Sequence, residues 1–231
     1  GADSASVTED GTSDSDPLTV QSVTANVMTN DVSGADAPAS FVVWTSALTG
    51  NWGVLTDKGN GSYIYTLNND DPKVQALTAD DIKTDSFTYT MKDADGDVKT
   101  ETLTVTIHGT NDIPTIEVNS GNPENANDVV NESGLSPDGT EAGVAVLVAE
   151  GSFKLGDADG LSNLKSVTID GTEIQISELG TGNTIDGGHG TLTITGFDDT
   201  TGDVTYSYLL TSPVSNAADS DAGVDKFSVT V

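Results

Sequence analysis

The feature that most limits what this chain can fold into is a strict two-residue alternation, apolar then mostly Ser or Thr, returning in short runs along 231 residues. "TLTVTIH" sets Leu103, Val105 and Ile107 on one face, "SYIYTL" does so with Tyr63, Tyr65 and Leu67, and "SFTYTM" with Phe87, Tyr89 and Met91. "TLTIT" (Leu192, Ile194), "VTYSYLL" (Val204, Tyr206, Tyr208, Leu210) and "FSVTV" (Phe227, Val229, Val231) keep the period later on. Successive side chains of a strand point to opposite faces, so a period of two is the signature of half-buried strands. Turns rich in Gly, Asp and Asn, such as "DKGNGS", "DADGD", "DDTTGD" and "DGGHG", separate the runs. No segment holds a 3.6-residue apolar period, and "DDPKVQALTADDI" allows one short helical turn. The expectation is an all-β chain of short antiparallel strands in sandwich form.

Charge sets the next limit. The chain has 37 Asp and Glu, 28 of them Asp, against 8 basic residues, all Lys, for a net charge of -29. Phosphate binding needs Lys and Arg clusters, so the charge argues against nucleic-acid and anionic-membrane partners. Such a charge also implies self-repulsion unless cations bind. Cysteine is absent, so neither disulfides nor thiolates hold the fold. No apolar run reaches the length of a membrane span, and no membrane insertion is expected. The opening "GADSASVTEDG" lacks a signal-peptide pattern and is expected to lie inside a longer chain. High charge with few large apolar residues is also the composition of disorder, but regular alternation argues against it.

The best boundary is "GTNDIPTI", where one alternating run ends and Pro114 starts another, giving domains 1–113 and 114–231. Internal echoes support it: "VTEDG" with "VNESG", "YIYTL" with "YSYLL", and "FTYTM" with "FSVTV", at offsets of 123, 143 and 140 residues. After "FTYTM" come an Asp-rich hairpin and a further strand, whereas the sequence ends on "FSVTV". The second domain is therefore expected to lack its final strand and to leave an open sheet edge at Phe227 to Val231.

The acids gather at strand ends. A strand rises about 3.3 Å per residue, so the run from Val98 to Ile107 sets Asp93, Asp95 and Asp97 about 30 Å from Asn111 and Asp112. Ca²⁺ takes six to eight oxygens from carboxylates, amides and carbonyls, and Gly allows the sharp turn such a loop needs. "DADGD" supplies alternate acids and a Gly, and "GDADG" (Gly156 to Gly160) repeats the arrangement. One such stretch alone is as readily an ordinary hairpin turn. Two copies, an Asn-Asp pair and the overall charge favour metal.

The stretch "TDSFTYTMKDADGDVKTETLTVTIHGTNDIP", residues 84–114, resembles the end of a VCBS or cadherin-like repeat from giant type I-secreted, RTX-type bacterial adhesins. "ASVTEDGT" fits the opening of such a repeat, and "VVNESG", "GSFKLGDADGL" and "VTYSYLL" resemble a sister repeat less closely. The resemblance implies two tandem immunoglobulin/cadherin-like sandwiches, end to end, stiffened by Ca²⁺ at the cell surface. It implies a shared junction site of Glu9, Asn111, Asp112, Asp157 and Asp159. Glu132 would serve the following junction, and Asp93, Asp95 and Asp97 would face whatever precedes residue 1. Partners would be neighbouring repeats, with any surface or glycan ligand bound by other domains.

Other functions fit less well. No Gly-x-Ser-x-Gly elbow or phosphate loop is present, and the acid pairs lie in turns, so no catalytic residue is expected. His108 and His189 read as solvated side chains. Trp44 and Trp52 flank "TSALTGN" and would suit a sugar platform, though at least one is expected in the core. "DGGHGTLTI" lacks the Asp and the second copy of a calcium-binding nonapeptide roll, and the Thr rows lack the short repeat of an ice-binding face.

Overall fold

The alternating runs become strands whose apolar faces meet between two layers. The computed structural model describes residues 2–9, 21–31, 38–118, 130–135, 147–213 and 225–231. The chain divides into two compact units, Gly1–Ile113 and Pro114–Val231.

In the first unit, β1 (Asp3–Thr8), β3 (Ser40–Trp44), β6 (Ile82–Lys92) and β7 (Val98–His108) form a sheet in the order β1-β7-β6-β3. A second sheet has the order β2-β5-β4, from β2 (Ser22–Asn26), β4 (Gly53–Gly59) and β5 (Ser62–Leu67). Both contribute to one core. Tyr65, Tyr89, Leu103, Val105 and Ile107 are fully buried. Trp44 meets Tyr63, and Tyr65 meets Phe87, in edge-on ring contacts across the layers, a geometry that adds to the gain from area burial. These buried faces are the ones the alternation picks out. "DDPKVQ" yields the single helical turn Pro72–Gln75, with Asp71 accepting the Lys73 N–H as its cap and Val74 buried beneath.

One pairing corrects the all-antiparallel expectation. β1 runs parallel to β7, with Asp3 beside Leu103 and Thr8 beside His108. Nearly the whole unit separates the two strands in sequence, so no hairpin dictates their direction. Alternation alone carries no direction.

The second unit holds a sheet β12-β13-β14-β9-β8 and a sheet β11-β10-β15. Their ranges are β8 (Thr115–Val118), β9 (Val148–Gly156), β10 (Ser166–Ile169), β11 (Thr172–Gln175), β12 (Thr184–Asp186), β13 (Gly190–Phe197), β14 (Asp203–Leu210) and β15 (Val229–Thr230). Phe153, Leu155, Val167, Ile169, Ile194 and Val204 form its core.

The two units share a frame. β2-β5-β4 of the first corresponds to β9-β14-β13 of the second, and β3-β6 corresponds to β10-β15. The Thr45 N–H donates to the Thr88 carbonyl at 2.8 Å, and the Asp170 N–H donates to the Ser228 carbonyl at 2.8 Å. Each bond starts from the residue just past β3 or β10, and ends on β6 in the first unit and on the residue directly before β15 in the second.

The frame carries an acid, buried in the first unit and partly buried in the second, that neither composition nor motif singled out. Asp85 accepts hydrogen bonds from the Asn51, Trp52 and Gly53 amides and from the Tyr65 hydroxyl. Asp225 accepts from the His189 and Gly190 amides and the Tyr208 hydroxyl. The loops are Gly50-Asn-Trp-Gly53 and Gly187-Gly-His-Gly190, and each closes by a bond from its first Gly N–H to its last Gly carbonyl at 2.8 Å. A Cβ on Gly50 would strike the Asp85 carboxylate, and one on Gly187 would strike Asp225 and Phe227. Burial together with these carboxylates pushes the Tyr65 and Tyr208 hydroxyls above the usual tyrosine range.

Candidate metal centres

The hairpin turn between β6 and β7 collects three acids. Among the described residues, Asp93, Asp95 and Asp97 have carboxylate oxygens all within 4.8 Å of one another. The backbone explains why they converge. Asp93 Oδ1 accepts the Gly96 and Asp97 amides at 3.1 and 2.8 Å, and the Asp93 N–H donates to the Asp97 carbonyl at 3.1 Å. Gly96 turns through a φ of 101°, where a Cβ is strained. A hydrogen bond between the two side chains draws the Asp93 carboxyl below its usual range and pushes Asp95 above its own. Two carboxylates sharing a proton behave so because both cannot ionise cheaply at this spacing. Three converging carboxylates, each with one oxygen in the cluster, in a Gly-containing turn suit a hard divalent cation. The same hydrogen bonds also make a competent hairpin turn without one.

Glu9 and Asp112 lie at the other end of β7, and both are fully buried. The Glu9 amide donates to the His108 carbonyl. Its carboxylate accepts the Thr110 amide at 2.9 Å and the Gln75 side chain at 3.2 Å, and the Thr110 hydroxyl donates to the Glu9 carbonyl at 2.7 Å. Asn111 Nδ2 donates to the Asp112 carbonyl at 2.7 Å. Glu9 is thus fastened to Thr110, directly before the Asn-Asp pair. Burying carboxylates is costly unless hydrogen bonds or a cation compensate. Asp10 to Thr12, the rest of the opening motif, lie outside the described residues.

In the second unit the same letters form a different structure. "DADG" at 157–160 follows β9 and leads into a 3-10 turn at Leu161–Asn163, and it closes no hairpin. The Asp159 amide donates to Asp157 Oδ1 at 2.9 Å, the Gly160 amide donates to the Asp157 carbonyl, and Asn163 Nδ2 reaches Asp159 at 3.2 Å. In β2 Asn26 pairs with Ser62, and in β9 Ser152 pairs with Thr205. Aligning Tyr63 with Tyr206 and Tyr65 with Tyr208 therefore makes Asp157 the counterpart of Asp31. The expectation that "GDADG" repeats the "DADGD" arrangement is corrected on this point, because pairing rather than composition decides where a turn falls. Glu132 sits in a 3-10 turn, Glu132–Gly134, capped by Asn131.

Asp31 also belongs to a cluster that neither the turn motifs nor the charge count marks. The Tyr89 hydroxyl lies 2.5 Å from Asp3 Oδ2 and 2.8 Å from Asp31 Oδ2. Burial, with Asp31 adding repulsion, pushes the Asp3 carboxyl above its usual range. The tripeptide Thr-Asn-Asp occurs at 29–31 and again at 110–112, a signal that could have drawn attention to it.

Trp44 is core, and its ring also packs on Tyr89. Trp52 is partly buried, and Lys73 Nζ stands 5.7 Å from its ring centre. His189 serves the Asp225 cradle through its backbone amide. No helix among the described residues is long and apolar enough to cross a membrane. No curated protein matches the chain. Residues 1–109 match the family model of the bacterial cadherin-like domain, and this match, with the two packed sheets, supports reading the first unit as a cadherin-like, immunoglobulin-type β-sandwich repeat.

Proposed function

We propose that this chain is a non-catalytic, calcium-stabilised extender segment of a bacterial surface adhesin, serving cell attachment and biofilm formation. The observation that carries the reading is the convergence of Asp93, Asp95 and Asp97 in one exposed turn of a chain with net charge -29. Bacterial cadherin-like domains suit adhesion or extension, and folds of this type typically carry no catalysis. In this reading Ca²⁺ is held by Asp93, Asp95 and Asp97 at one end of β7. Glu9, Asn111 and Asp112 supply oxygens at the other end, and Asp157, Asp159 and Glu132 do so in the second unit. The ion's contribution is charge neutralisation and cross-linking of turns that otherwise repel. Neighbouring repeats of the same chain are its partners, and export is by a type I route to the cell surface. A carbohydrate platform is the weaker reading, since Trp44 is enclosed and Lys73 stands over Trp52.

Thermal melting in calcium and in chelator tests this. Extracellular sites bind with Kd of about 10⁻⁴ to 10⁻³ M, so about 10 mM Ca²⁺ adds roughly 1.5–3 kcal/mol per ion. That raises Tm by roughly 5–15 °C for a domain of this size. Asp95→Asn should remove part of the rise, and Mg²⁺ should reproduce little of it. Identical melting curves in calcium and chelator would return the turns to a purely structural role.

A further inference from the structure

The pattern Asn-x-Ser occurs twice in the chain, at Asn60-Gly61-Ser62 and at Asn131-Glu132-Ser133. With any residue but Pro in the middle, it is the acceptor pattern for a sugar linked to the Asn amide, and an acceptor has to lie on the surface. The fold treats the two copies differently. Asn60 stands exposed at the tip of the hairpin between β4 and β5. Asn131 caps the turn Glu132–Gly134, its Oδ1 accepting the Ser133 N–H at 3.0 Å.

The hairpin tip is held by its backbone. Asn60 and Gly61 have φ of 53° and 79°, the positive values that a tight hairpin turn requires, which accounts for Asn-Gly at this place. Asn26 Nδ2 donates to the Asn60 carbonyl at 3.1 Å and to Ser62 Oγ at 2.9 Å, and the Val27 N–H donates to the Gly61 carbonyl at 3.0 Å. The Asn60 side-chain amide takes part in none of these bonds and has no partner among the described residues. Among those residues a Cβ added at Gly59 would meet no heavy atom within 4 Å, so the approach beside Asn60 is open. The Ser62 hydroxyl accepts from Asn26 and keeps its own proton to donate.

From this we propose that Asn60 is an acceptor site for an N-linked hexose, transferred from a nucleotide-activated sugar by a separate transferase. Asn60 Nδ2 attacks the anomeric carbon of the sugar, and the new N–C bond forms as the bond from that carbon to the donor phosphate breaks. The nucleoside diphosphate leaves with the electron pair, and the proton displaced from Nδ2 passes to a base of the transferase. Asn131 is the poorer acceptor in the folded chain, because its amide oxygen is committed to the cap and would have to be released first. The product at Asn60 is a neutral, hydrated group at the end of the β2-β5-β4 sheet, and it leaves the charge of -29 unchanged.

The test uses a transferase that recognises Asn-x-Ser and glycosylates the free peptide 57–66 with UDP-glucose. The folded full chain is incubated with the same enzyme and donor, and occupancy is measured by peptide mass mapping. The expected result is one hexose per chain, on Asn60, with Asn131 unmodified. Asn60→Gln and, separately, Ser62→Ala should each abolish the transfer. Asn60→Gln keeps a side-chain amide and alters no bond of the turn, so it is expected to melt with the parent, which separates loss of the acceptor from loss of the fold. An unmodified Asn60 in the folded chain would overturn the proposal, because the peptide shows that the enzyme accepts this sequence. Transfer that persists in Asn60→Gln would also overturn it, by placing the sugar elsewhere. Equal occupancy at Asn131 would overturn the choice that the fold makes between the two.

Discussion

Asp3 shows what a single misplaced charge does in a chain this acidic. The residue is 9% exposed, and its carboxyl shares the Tyr89 hydroxyl with Asp31. Burial and that neighbour raise its pKa above the ordinary 3.8. The folded state therefore holds this proton more tightly than the unfolded chain does. Ionised Asp3 costs stability above the folded pKa, and the cost fades as pH falls toward 3.8. Asp3→Asn keeps an acceptor for Tyr89 and removes the charge. In chelator the variant is expected to unfold at higher urea than the parent at pH 7, with the gap closing as pH approaches 3.8. A gap that widens with acid would contradict this account.

Among the elements, the loop-and-acid cradle says most about stability. Asp85 ties the loop 50–53 to β6 of the facing sheet, and Asp225, just before β15, holds the loop 187–190. Asp85→Ala would leave three amides and the Tyr65 hydroxyl without their acceptor in a buried site. The expected loss is about 3–5 kcal/mol, because stranded buried donors forfeit their desolvation cost. Both tryptophans, Trp44 and Trp52, lie in the first unit, so fluorescence in urea reads this change directly. Asp85→Asn retains one acceptor and should lose less. Asp225→Ala should lower stability in the same way, followed by far-UV circular dichroism.

At the scale of the whole molecule, the charge of -29 outweighs every local ion pair. Few cations answer it: Lys73, Lys83 and Lys99 pair with Asp71, Asp81 and Glu101 on the surface, where such pairs contribute about 0–1 kcal/mol each. Repulsion is therefore left largely to the solvent. Raising NaCl from about 10 mM to about 150 mM shortens the Debye length from about 30 to about 8 Å. Tm in chelator is expected to rise over that range. Calcium at matched ionic strength should raise it further, and no extra rise would reduce the ion to a screening agent.

Much of this molecule was legible in its residues. Alternation named the buried faces of β5, β6, β7, β13 and β14, because a half-buried strand leaves a period of two that needs no partner to be seen. The stretch "DDPKVQALTADDI" marked a short helical turn, and the structure adds that Asp71 caps it. The "DADGD" turn showed its carboxylate cluster because all three acids lie within five residues. Contacts between residues far apart in sequence were not legible. The parallel entry of β1, the fastening of Glu9 to Thr110 across 101 residues, and the Asp85 and Asp225 cradles all depend on which strands become neighbours. So does the different placement of two stretches that both read "DADG". A sequence records local period and local turn chemistry; pairing is decided by the collective burial of two sheets, and only the tertiary structure expresses it.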